Sequence, residues 1–314
     1  MQKNAIIFTA NTMHVAQANL MIESLFDPEK GNFQGDLWVI STHLSPRCQN
    51  FLDSRGIKYL INPLGSFQKW KYRREIARSQ PEFKSGRLNE DDAFLLYRNK
   101  RMSKLIICDW VDKFGADYDA IALCDNDLYF QRDANALFEK TAHIDAKVLW
   151  YWQEENKNLP GSNLWTKNFH YTRLHDVDGL DFGNHEINIG FVISTPKLMR
   201  QVFQRVWDLF YRCNIELFRD HHWHDQDLVR VIRAQDPHLF RLFDEGDILH
   251  LCNGGQTLVD ERSPQEFYHT KSEEKPYIVH FAGGAWKPFT SIAPSYTVHD
   301  GVFFFMEESD EKFD

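Results

Sequence analysis

The sequence predicts an α/β fold built on an open, mixed and mainly parallel sheet with helices on both faces. Two observations lead to this prediction. Short apolar runs of strand length alternate with longer segments whose apolar residues recur at helical spacing, and this alternation is typical of parallel sheets covered on both faces. In addition, one apolar run ends directly in a pair of aspartates, and open α/β sheets bind ligands beyond the carboxyl ends of their strands.

The alternation is clearest near the start of the chain. An apolar run over Asn4–Ala10 predicts the first strand, and apolar residues at helical spacing predict a helix over Val15–Phe26. A second strand is predicted over Leu37–Ser41, a short helix over Pro46–Arg55 and a third strand over Ile57–Ile61. Together these elements form the strand–helix succession that builds a parallel sheet.

Two segments rich in basic residues follow. Residues 65–93 are polar and weakly periodic, and we expect an insertion or mobile loop. Its basic residues are more typical of a solvated helix face than of a contact with phosphate or membrane. Residues 93–114 predict a helix with an apolar stripe, and one of its cations could lie beside the acidic pair and hold a diphosphate. The cations are Lys69, Lys71, Arg73, Arg74 and Arg78 in the first segment, and Arg98, Lys100, Arg101 and Lys104 in the second.

The stretch around the two aspartates carries the main functional signal. The apolar run Ala120–Cys124 predicts a buried strand, and Asp125 and Asp127 follow at once. Residues two apart in an extended segment share a face, so both carboxylates should point into one crevice. Paired hard oxygens suit Mg²⁺ or Mn²⁺, which readily share their remaining positions with phosphates. The alternative is a solvated acidic turn, since so short a motif also arises by chance.

Further strands and helices are predicted after the acidic pair. Asp133 or Asn135 can cap a short helix that runs to Lys140. Residues 153–185 form a long aperiodic loop, of the kind that usually serves as a lid or binding loop. Gly190, inside a predicted strand, indicates close approach of a ligand or of another backbone. The remaining predictions in this part are strands over Lys147–Trp152 and Ile187–Ser194 and a helix from Thr195 to about Cys213.

Histidines occur in two later segments that could contribute to a site. The run His221-His222-Trp223-His224-Asp225-Gln226-Asp227 precedes a predicted helix over Leu228–Ala234. Its spacing fits no zinc pattern, and we expect a pocket-edge loop. A later strand leads into Gly283-Gly284-Ala285-Trp286-Lys287, where backbone N–H groups can approach phosphate and the lysine adds charge. His280 on that strand is a natural third metal ligand, with a buried core histidine as the alternative.

Composition limits the partners of this chain. Of its 314 residues, 43% are hydrophobic and 26% are charged, as in ordinary globular proteins. The net charge of −9 argues against a nucleic-acid surface. Five cysteines without a Cys-x-x-Cys pair indicate reduced structural thiols. No apolar run reaches transmembrane length and no signal peptide is visible, so we expect a cytoplasmic protein, with peripheral contact at the inner face of a membrane as the alternative.

Several short motifs occur in an order that is known from one family. They are Thr9-Ala10-Asn11-Thr12-Met13-His14, Arg101-Met102-Ser103-Lys104, Asp125-Asn126-Asp127, Asn188-Ile189-Gly190, Asp225-Gln226-Asp227 and His280-Phe281-Ala282-Gly283. With these motifs the chain resembles the GT-A-fold glycosyltransferases. Among them it resembles glycosyltransferase family 8, the retaining group that includes glycogenin and the lipooligosaccharide galactosyltransferases. The resemblance extends from Thr9 to Pro288.

The resemblance implies a Rossmann-like GT-A domain that transfers a sugar from a nucleotide-sugar donor, a UDP-sugar, to a glycan, glycolipid or other hydroxyl acceptor with retention. It implies a divalent metal, Mn²⁺ or Mg²⁺, held by Asp125, Asp127 and His280. The residues implied at the reacting sugar are Asp225, Gln226 and Asn188. Those implied in binding the nucleotide and its diphosphate are Thr9, Ala10, Asn11, His14, Arg101, Lys104, Asn126, Gly283 and Lys287.

We expect one catalytic domain over residues 1–300, with a nucleotide-binding half over 1–130, an acceptor half over 131–300 and an acidic tail over 301–314. Two other hypotheses stay open. The same fold could carry an inverting transfer, with Asp225 as general base, or a nucleotidyltransferase reaction. A non-catalytic scaffold that binds a nucleotide or a glycan is the other hypothesis, and the complete set of three metal-ligand side chains argues against it.

Overall fold

A computed structural model of the chain contains a large central sheet, a smaller three-stranded sheet and a β-hairpin. The residues that it describes are 2–9, 15–41, 44, 46–62, 103–142, 149–153, 187–212, 224–244, 246–251, 258–282 and 285–292. The insertion predicted over 65–93, the acidic tail over 301–314 and, apart from Gln153, the loop predicted over 153–185 lie outside the described residues.

The strands belong to three separate groups. They are β1 (Asn4–Thr9), β2 (Asp36–Ser41), β3 (Lys58–Ile61), β4 (Ala120–Cys124), β5 (Leu128–Phe130), β6 (Leu149–Gln153), β7 (Ile187–Ser194), β8 (Phe240–Leu242), β9 (Ile248–Leu251), β10 (Val259–Ser263), β11 (Glu266–His269) and β12 (Ile278–Phe281). The central sheet has the order β3-β2-β1-β4-β7-β6-β8, the smaller sheet has the order β5-β12-β9, and β10 pairs with β11.

The central sheet is mixed and mainly parallel, as predicted. Strands β3, β2, β1 and β4 pair in parallel, β7 is antiparallel to both of its neighbours, and β6 is parallel to β8. Strands β1, β4 and β7 are buried along their whole length. This burial explains why their sequences are continuous apolar runs, since a strand covered on both faces has no solvent side.

Helices cover both faces of the central sheet, which confirms the predicted fold class. The helices are α1 (Val15–Phe26), α2 (Pro46–Ser54), α3 (Ile107–Phe114), α4 (Ala134–Ala142), α5 (Pro196–Arg212) and α6 (His224–Gln235). Apolar residues of α1, α2 and α4 pack with Ile6 and Phe8 of β1 on one face. Residues of α3, α5 and α6 pack with Ala5 and Ile7 on the other face. Alternate side chains of one strand therefore supply two cores.

Two helix starts follow the predicted capping chemistry. The carboxylate of Asp133 accepts a hydrogen bond from Asn135 N at 2.9 Å at the start of α4, so Asp133 is the N-cap. Thr195 Oγ1 accepts one from Leu198 N at 3.4 Å at the start of α5, and Pro196 occupies the first helical position, which needs no N–H donor.

Some boundaries and elements differ from the sequence prediction. Helix α6 begins at His224, so Asp225 and Gln226 lie in its first turn and not in a loop before Leu228. Acidic residues in a first turn are favoured by the helix dipole, which explains the earlier start. Within residues 93–114, the described part is a 3-10 turn over Ser103–Ile106 followed by α3. Strands β5 and β8 to β11 were not predicted, because runs of three to five residues show little periodicity.

The described cysteines agree with the prediction of reduced structural thiols. Cys48, Cys108 and Cys124 are buried, and none of these three forms a disulfide. Burial raises the pKa of the Cys108 thiol to about 12, so this group stays protonated and behaves as a small apolar side chain. Cys213 and Cys252 lie outside the described residues.

A buried serine joins α1 to the smaller sheet. Ser24 Oγ donates a hydrogen bond to Met21 O at 3.1 Å and accepts one from Phe130 N at 3.1 Å. Phe130 is the last residue of β5, and helix α1 packs against that strand. The serine therefore satisfies a strand N–H that would otherwise be buried without an acceptor.

We expect Ser24→Ala to lower the free energy of unfolding by about 1–3 kcal/mol, because it leaves the buried Phe130 N–H unsatisfied. Ser54→Ala is the matched control: Ser54 Oγ also donates to the carbonyl three residues earlier, at 2.7 Å, but its site is exposed. Urea denaturation of both variants measures the difference. Equal stability losses in the two variants would show that the bond to Phe130 contributes nothing.

Candidate metal centre

Residues 125–127 carry the chain from the central sheet to the smaller sheet, between the end of β4 and the start of β5. Asp125 N donates a hydrogen bond to Gly190 O of β7 at 2.8 Å, and Phe281 N of β12 donates one to Asp127 O at 2.9 Å. The first residue of this acidic loop (residues 125–127) is thus hydrogen-bonded to the central sheet, and the last residue is hydrogen-bonded to the smaller sheet. This double attachment places both carboxylates at the junction of the two sheets.

Strand β12 brings His280 to the same junction. Because β12 pairs with β5, His280 lies opposite Leu128, the residue that follows the acidic pair. Its Nε2 is 2.9 Å from Asp127 Oδ1 and 3.8 Å from Asp125 Oδ2. One potential ligand atom from each of the three side chains lies within 4.8 Å of the others. The structure therefore brings together the three residues that were predicted to hold a metal.

The chemistry of these groups fits a divalent cation. Two carboxylates and an imidazole form a ligand set that suits Mn²⁺ and can serve Mg²⁺ through its oxygens. Asp127 Oδ1 is buried and accepts no hydrogen bond from the described residues, although His280 Nε2 lies 2.9 Å away. A buried carboxylate oxygen without a donor is costly, and a cation would satisfy it.

Lys104 contacts one oxygen of Asp125. The lysine lies in the 3-10 turn before α3 and is buried, with Nζ 2.8 Å from Asp125 Oδ1 and 3.4 Å from Ile189 O. The other carboxylate oxygen, Oδ2, faces His280. The two oxygens of Asp125 therefore have different partners, and Oδ2 lies on the side of the metal-ligand cluster.

Charge interactions shift the pKa values of the cluster in different directions. Burial raises the pKa of Asp125, with Lys104 opposing this effect and Asp127 adding to it. Burial also disfavours the charged form of Asp127, but the positive charge of His280 outweighs it and lowers the pKa of this carboxyl. For His280, burial lowers the pKa. The carboxylates of Asp127 and Asp125 raise it by more, so the net shift is upward. The cluster thus favours an ionised Asp127 beside a positive charge.

Gly190 allows β7 to approach the imidazole of His280. A Cβ atom at this position would lie 2.3 Å from His280 Cε1 and 2.8 Å from Asn188 Oδ1. The sequence predicted close approach of a ligand or of another backbone. Among the described residues the approaching group is instead a side chain, the ring of His280, which the sequence order does not place next to β7.

A second histidine of the site was not predicted. His250 on β9 is buried and lies opposite His280, because β9 and β12 pair in parallel. Burial and the neighbouring His280 hold the pKa of His250 well below its usual value. The sequence does contain a signal: Ile248-Leu-His-Leu and Ile278-Val-His-Phe share one pattern of three apolar residues around a histidine.

The other predicted residues are distributed around this cluster or lie outside the description. Thr9 is buried at the end of β1, Gln226 is buried in the first turn of α6, and Lys287 is exposed beyond β12. Asn126 lies in the acidic loop, and its buried Nδ2 has no hydrogen-bond partner among the described residues. Ala10, Asn11, His14, Arg101, Gly283 and the side chain of Asp225 lie outside the described part of the chain.

Several known glycosyltransferase structures align with this fold. The chain aligns with a galactosyltransferase, LgtC, solved in complex with donor and acceptor sugar analogs, at 14% identity and a TM-score of 0.51, covering 98% of this chain and 99% of that one. Mouse xyloside xylosyltransferase 1 aligns at 15% identity and a TM-score of 0.51, covering 90% and 98%. The bifunctional glycosyltransferase WbbM aligns at 11% identity and a TM-score of 0.51, covering 90% of this chain and 46% of that one.

The chain has a GT-A fold. The mixed sheet, its helical layers and the aligned glycosyltransferase structures agree on this point, and they confirm the fold class and the structural resemblance to GT-A glycosyltransferases. The chain matches no protein-family model and no curated protein sequence. Among the described residues of this GT-A fold, no helix combines the length and apolar character that a membrane span requires.

We expect Gly190→Ala to weaken divalent-metal binding and to destabilise the fold, because the added methyl group displaces His280 or Asn188. The measurement is a thermal unfolding series for Gly190→Ala, His280→Ala and the double variant. If the methyl group acts through the imidazole, its effect on stability becomes smaller once the ring is removed, as a coupling energy. Strictly additive losses would contradict this explanation.

Proposed function

We propose that this protein is a metal-dependent glycosyltransferase that moves a sugar from a nucleotide-sugar donor, a UDP-sugar, to a hydroxyl acceptor with retention of anomeric configuration. The observation that carries the proposal is the convergence of Asp125, Asp127 and His280 at the junction of two sheets in a GT-A fold. The carboxyl ends of strands in open α/β sheets, where strands lead into polar side chains, are common ligand sites.

The reaction requires charge stabilisation at the donor diphosphate. When the bond between the anomeric carbon and the diphosphate breaks, the departing nucleoside diphosphate gains negative charge. A divalent cation, Mn²⁺ or Mg²⁺, held by Asp125, Asp127 and His280 would supply Lewis-acid stabilisation of that charge. Lys104 has its ammonium group 2.8 Å from Asp125, where it would keep this carboxylate ionised and fix the direction of its second oxygen.

Asn126 is suited to contact the donor. Its Nδ2 is buried and has no hydrogen-bond partner among the described residues, and it lies between the two carboxylates in sequence. A buried amide donor without an acceptor is costly, and a phosphate or ribose oxygen would satisfy it. Thr9 at the carboxyl end of β1 and the positive charge of Lys287 would contribute further to binding of the nucleotide and its diphosphate. We assign the nucleotide side to the following residues as well: Ala10, Asn11, His14, Arg101 and Gly283.

Asp225 and Gln226 are the residues that we place beside the reacting carbon. Gln226 is buried in the first turn of α6. Support comes from a solved active-site mutant of LgtC in which a glutamine is replaced by glutamate. As the bond breaks, the anomeric carbon acquires oxocarbenium character, and amide or carboxylate oxygens stabilise such positive charge. Retention would then follow from attack on the face from which the diphosphate departs or from a covalent intermediate.

A glycan or glycolipid is the proposed acceptor class. Two of the aligned proteins, LgtC and mouse xyloside xylosyltransferase 1, are named as a galactosyltransferase and a xylosyltransferase. We assign acceptor binding to the half of the chain after residue 130, within a single domain over 1–300. A cytoplasmic protein that works at the inner face of a membrane would be compatible with a glycolipid acceptor.

We expect UDP to raise the unfolding temperature of the wild type only when Mn²⁺ is present, and Asp127→Asn to lose this shift. A ligand at 100 times its Kd stabilises the native state by about 2.7 kcal/mol, which a thermal-shift assay resolves. GDP and CDP, and the same nucleotides with EDTA, complete the series. Asp133→Asn is the matched control, since it makes the same change at an exposed helix cap.

The outcomes separate the competing functions. A Mn²⁺-dependent shift that is retained in Asp127→Asn would contradict the assigned metal site. No shift with any nucleotide in folded protein would contradict the transferase proposal as a whole. If a UDP-sugar binds and is turned over with an acceptor, NMR of the product anomer distinguishes retention from inversion. Binding without turnover of any donor would favour a non-catalytic scaffold.

A further inference from the structure

His250 is a second buried histidine behind the candidate metal ligands. It faces His280 across the parallel pair of strands β9 and β12, and both side chains are buried. The two ring centroids are 4.7 Å apart and the ring planes cross at 69°. Two imidazoles packed edge to face at this depth need a defined arrangement of their ring protons, because an unsatisfied buried ring nitrogen is costly.

The contact between the rings joins their Nδ1 atoms. His250 Nδ1 and His280 Nδ1 are 3.0 Å apart, which is a hydrogen-bond distance. One of these nitrogens must donate and the other must accept. The direction of this bond decides which nitrogen of His280 carries the ring proton, and neighbouring groups determine that direction.

Asn188 fixes the direction of the bond. Its Oδ1 accepts a hydrogen bond from Gly190 N at 2.7 Å, and this contact sets the orientation of the amide. Nδ2 then lies 3.4 Å from His250 Nδ1. Since Nδ2 can only donate, His250 Nδ1 is the acceptor, and an imidazole that accepts through Nδ1 is neutral and carries its own proton on Nε2.

The assignment at His280 follows from that of His250. If His250 Nδ1 accepts, His280 Nδ1 carries a proton and donates it. Nε2 of His280 lies 2.9 Å from Asp127 Oδ1. It is then the ring nitrogen at which a cation would bind, in place of the proton that the positively charged imidazole carries there. Metal-binding histidines generally donate the other ring N–H to an acceptor that holds the ring in place.

We propose that His250, oriented by Asn188, is a positioning residue that keeps the proton of His280 on Nδ1 and directs His280 Nε2 toward Asp125 and Asp127. The inference rests on the metal site of the proposed function. It also gives Asn188 a role through His250, in addition to the sugar contact predicted from sequence. His250 is not a fourth ligand in this arrangement, because its Nδ1 faces the side of the His280 ring that points away from the carboxylates.

The first test is NMR of the histidine rings in the full-length, ¹⁵N-labelled and metal-free protein. Long-range ¹H–¹⁵N correlations show which nitrogens of each ring are protonated, and His280→Gln and His250→Asn assign the two rings. We expect a protonated Nδ1 in His280 and a protonated Nε2 in His250. The opposite pattern in the wild type would overturn the proposal.

The second test is Mn²⁺ affinity, measured from the EPR signal of free Mn²⁺. We expect His250→Phe, which keeps a ring but removes the acceptor, to weaken binding about 10–100-fold. His250→Asn, whose Oδ1 can replace Nδ1 as acceptor, should restore most of the affinity. His269→Phe is the matched control, since His269 is also a buried histidine whose Nδ1 accepts a hydrogen bond, from Ser272 N at 3.1 Å.

The results distinguish failure of this proposal from failure of the proposed function. Unchanged affinity in His250→Phe, or equal losses in His250→Phe and His250→Asn, would overturn the role of His250. Equal losses in His250→Phe and His269→Phe would likewise reduce it to packing. A wild type with the expected ring protons that binds no Mn²⁺ would instead contradict the metal-dependent function and support the positioning of His280.

Discussion

The arrangement of the site depends on two backbone hydrogen bonds that attach the acidic loop to different sheets. Asp125 N is bonded to Gly190 O in the central sheet, and Asp127 O is bonded to Phe281 N in the smaller sheet. A backbone bond holds a side chain more rigidly than a long polar contact does, because it fixes the Cα positions from which the side chain extends. The relative placement of the two sheets therefore determines the distance between the carboxylates and His280.

Buried charge is the second constraint on this junction. Two carboxylates in a mostly buried position repel each other, and they persist there only with compensating positive charge. The structure supplies Lys104 beside Asp125 and His280 beside Asp127. A divalent cation would add charge at the point where Asp127 Oδ1 has no hydrogen-bond donor. The proposed reaction needs positive charge that is already in place where the diphosphate departs, and this arrangement can provide it.

Much of the fold and part of the site were predictable from local patterns. The fully buried strands β4 and β7 have the predicted bounds, because an apolar run of five to eight residues between polar ends admits few alternatives. The acidic pair and His280 were also predicted as ligands. Strand β9 and its histidine were not predicted, since a run of four residues is too short to show the periodicity of a strand. The start of α6 was placed too late, because polar residues of a first turn resemble a loop.

The sequence by itself determined the α/β class and the acidic pair at the end of a buried strand, and it marked the imidazole of His280 as a candidate ligand, since these depend on residue type and on spacing within one segment. Only the tertiary structure decided that β12 lies beside β5, that Gly190 is small because an imidazole packs against it, and that His250 stands behind His280. These relations join residues far apart in the chain, and the hydrogen bonds that select them form only when the sheets pair.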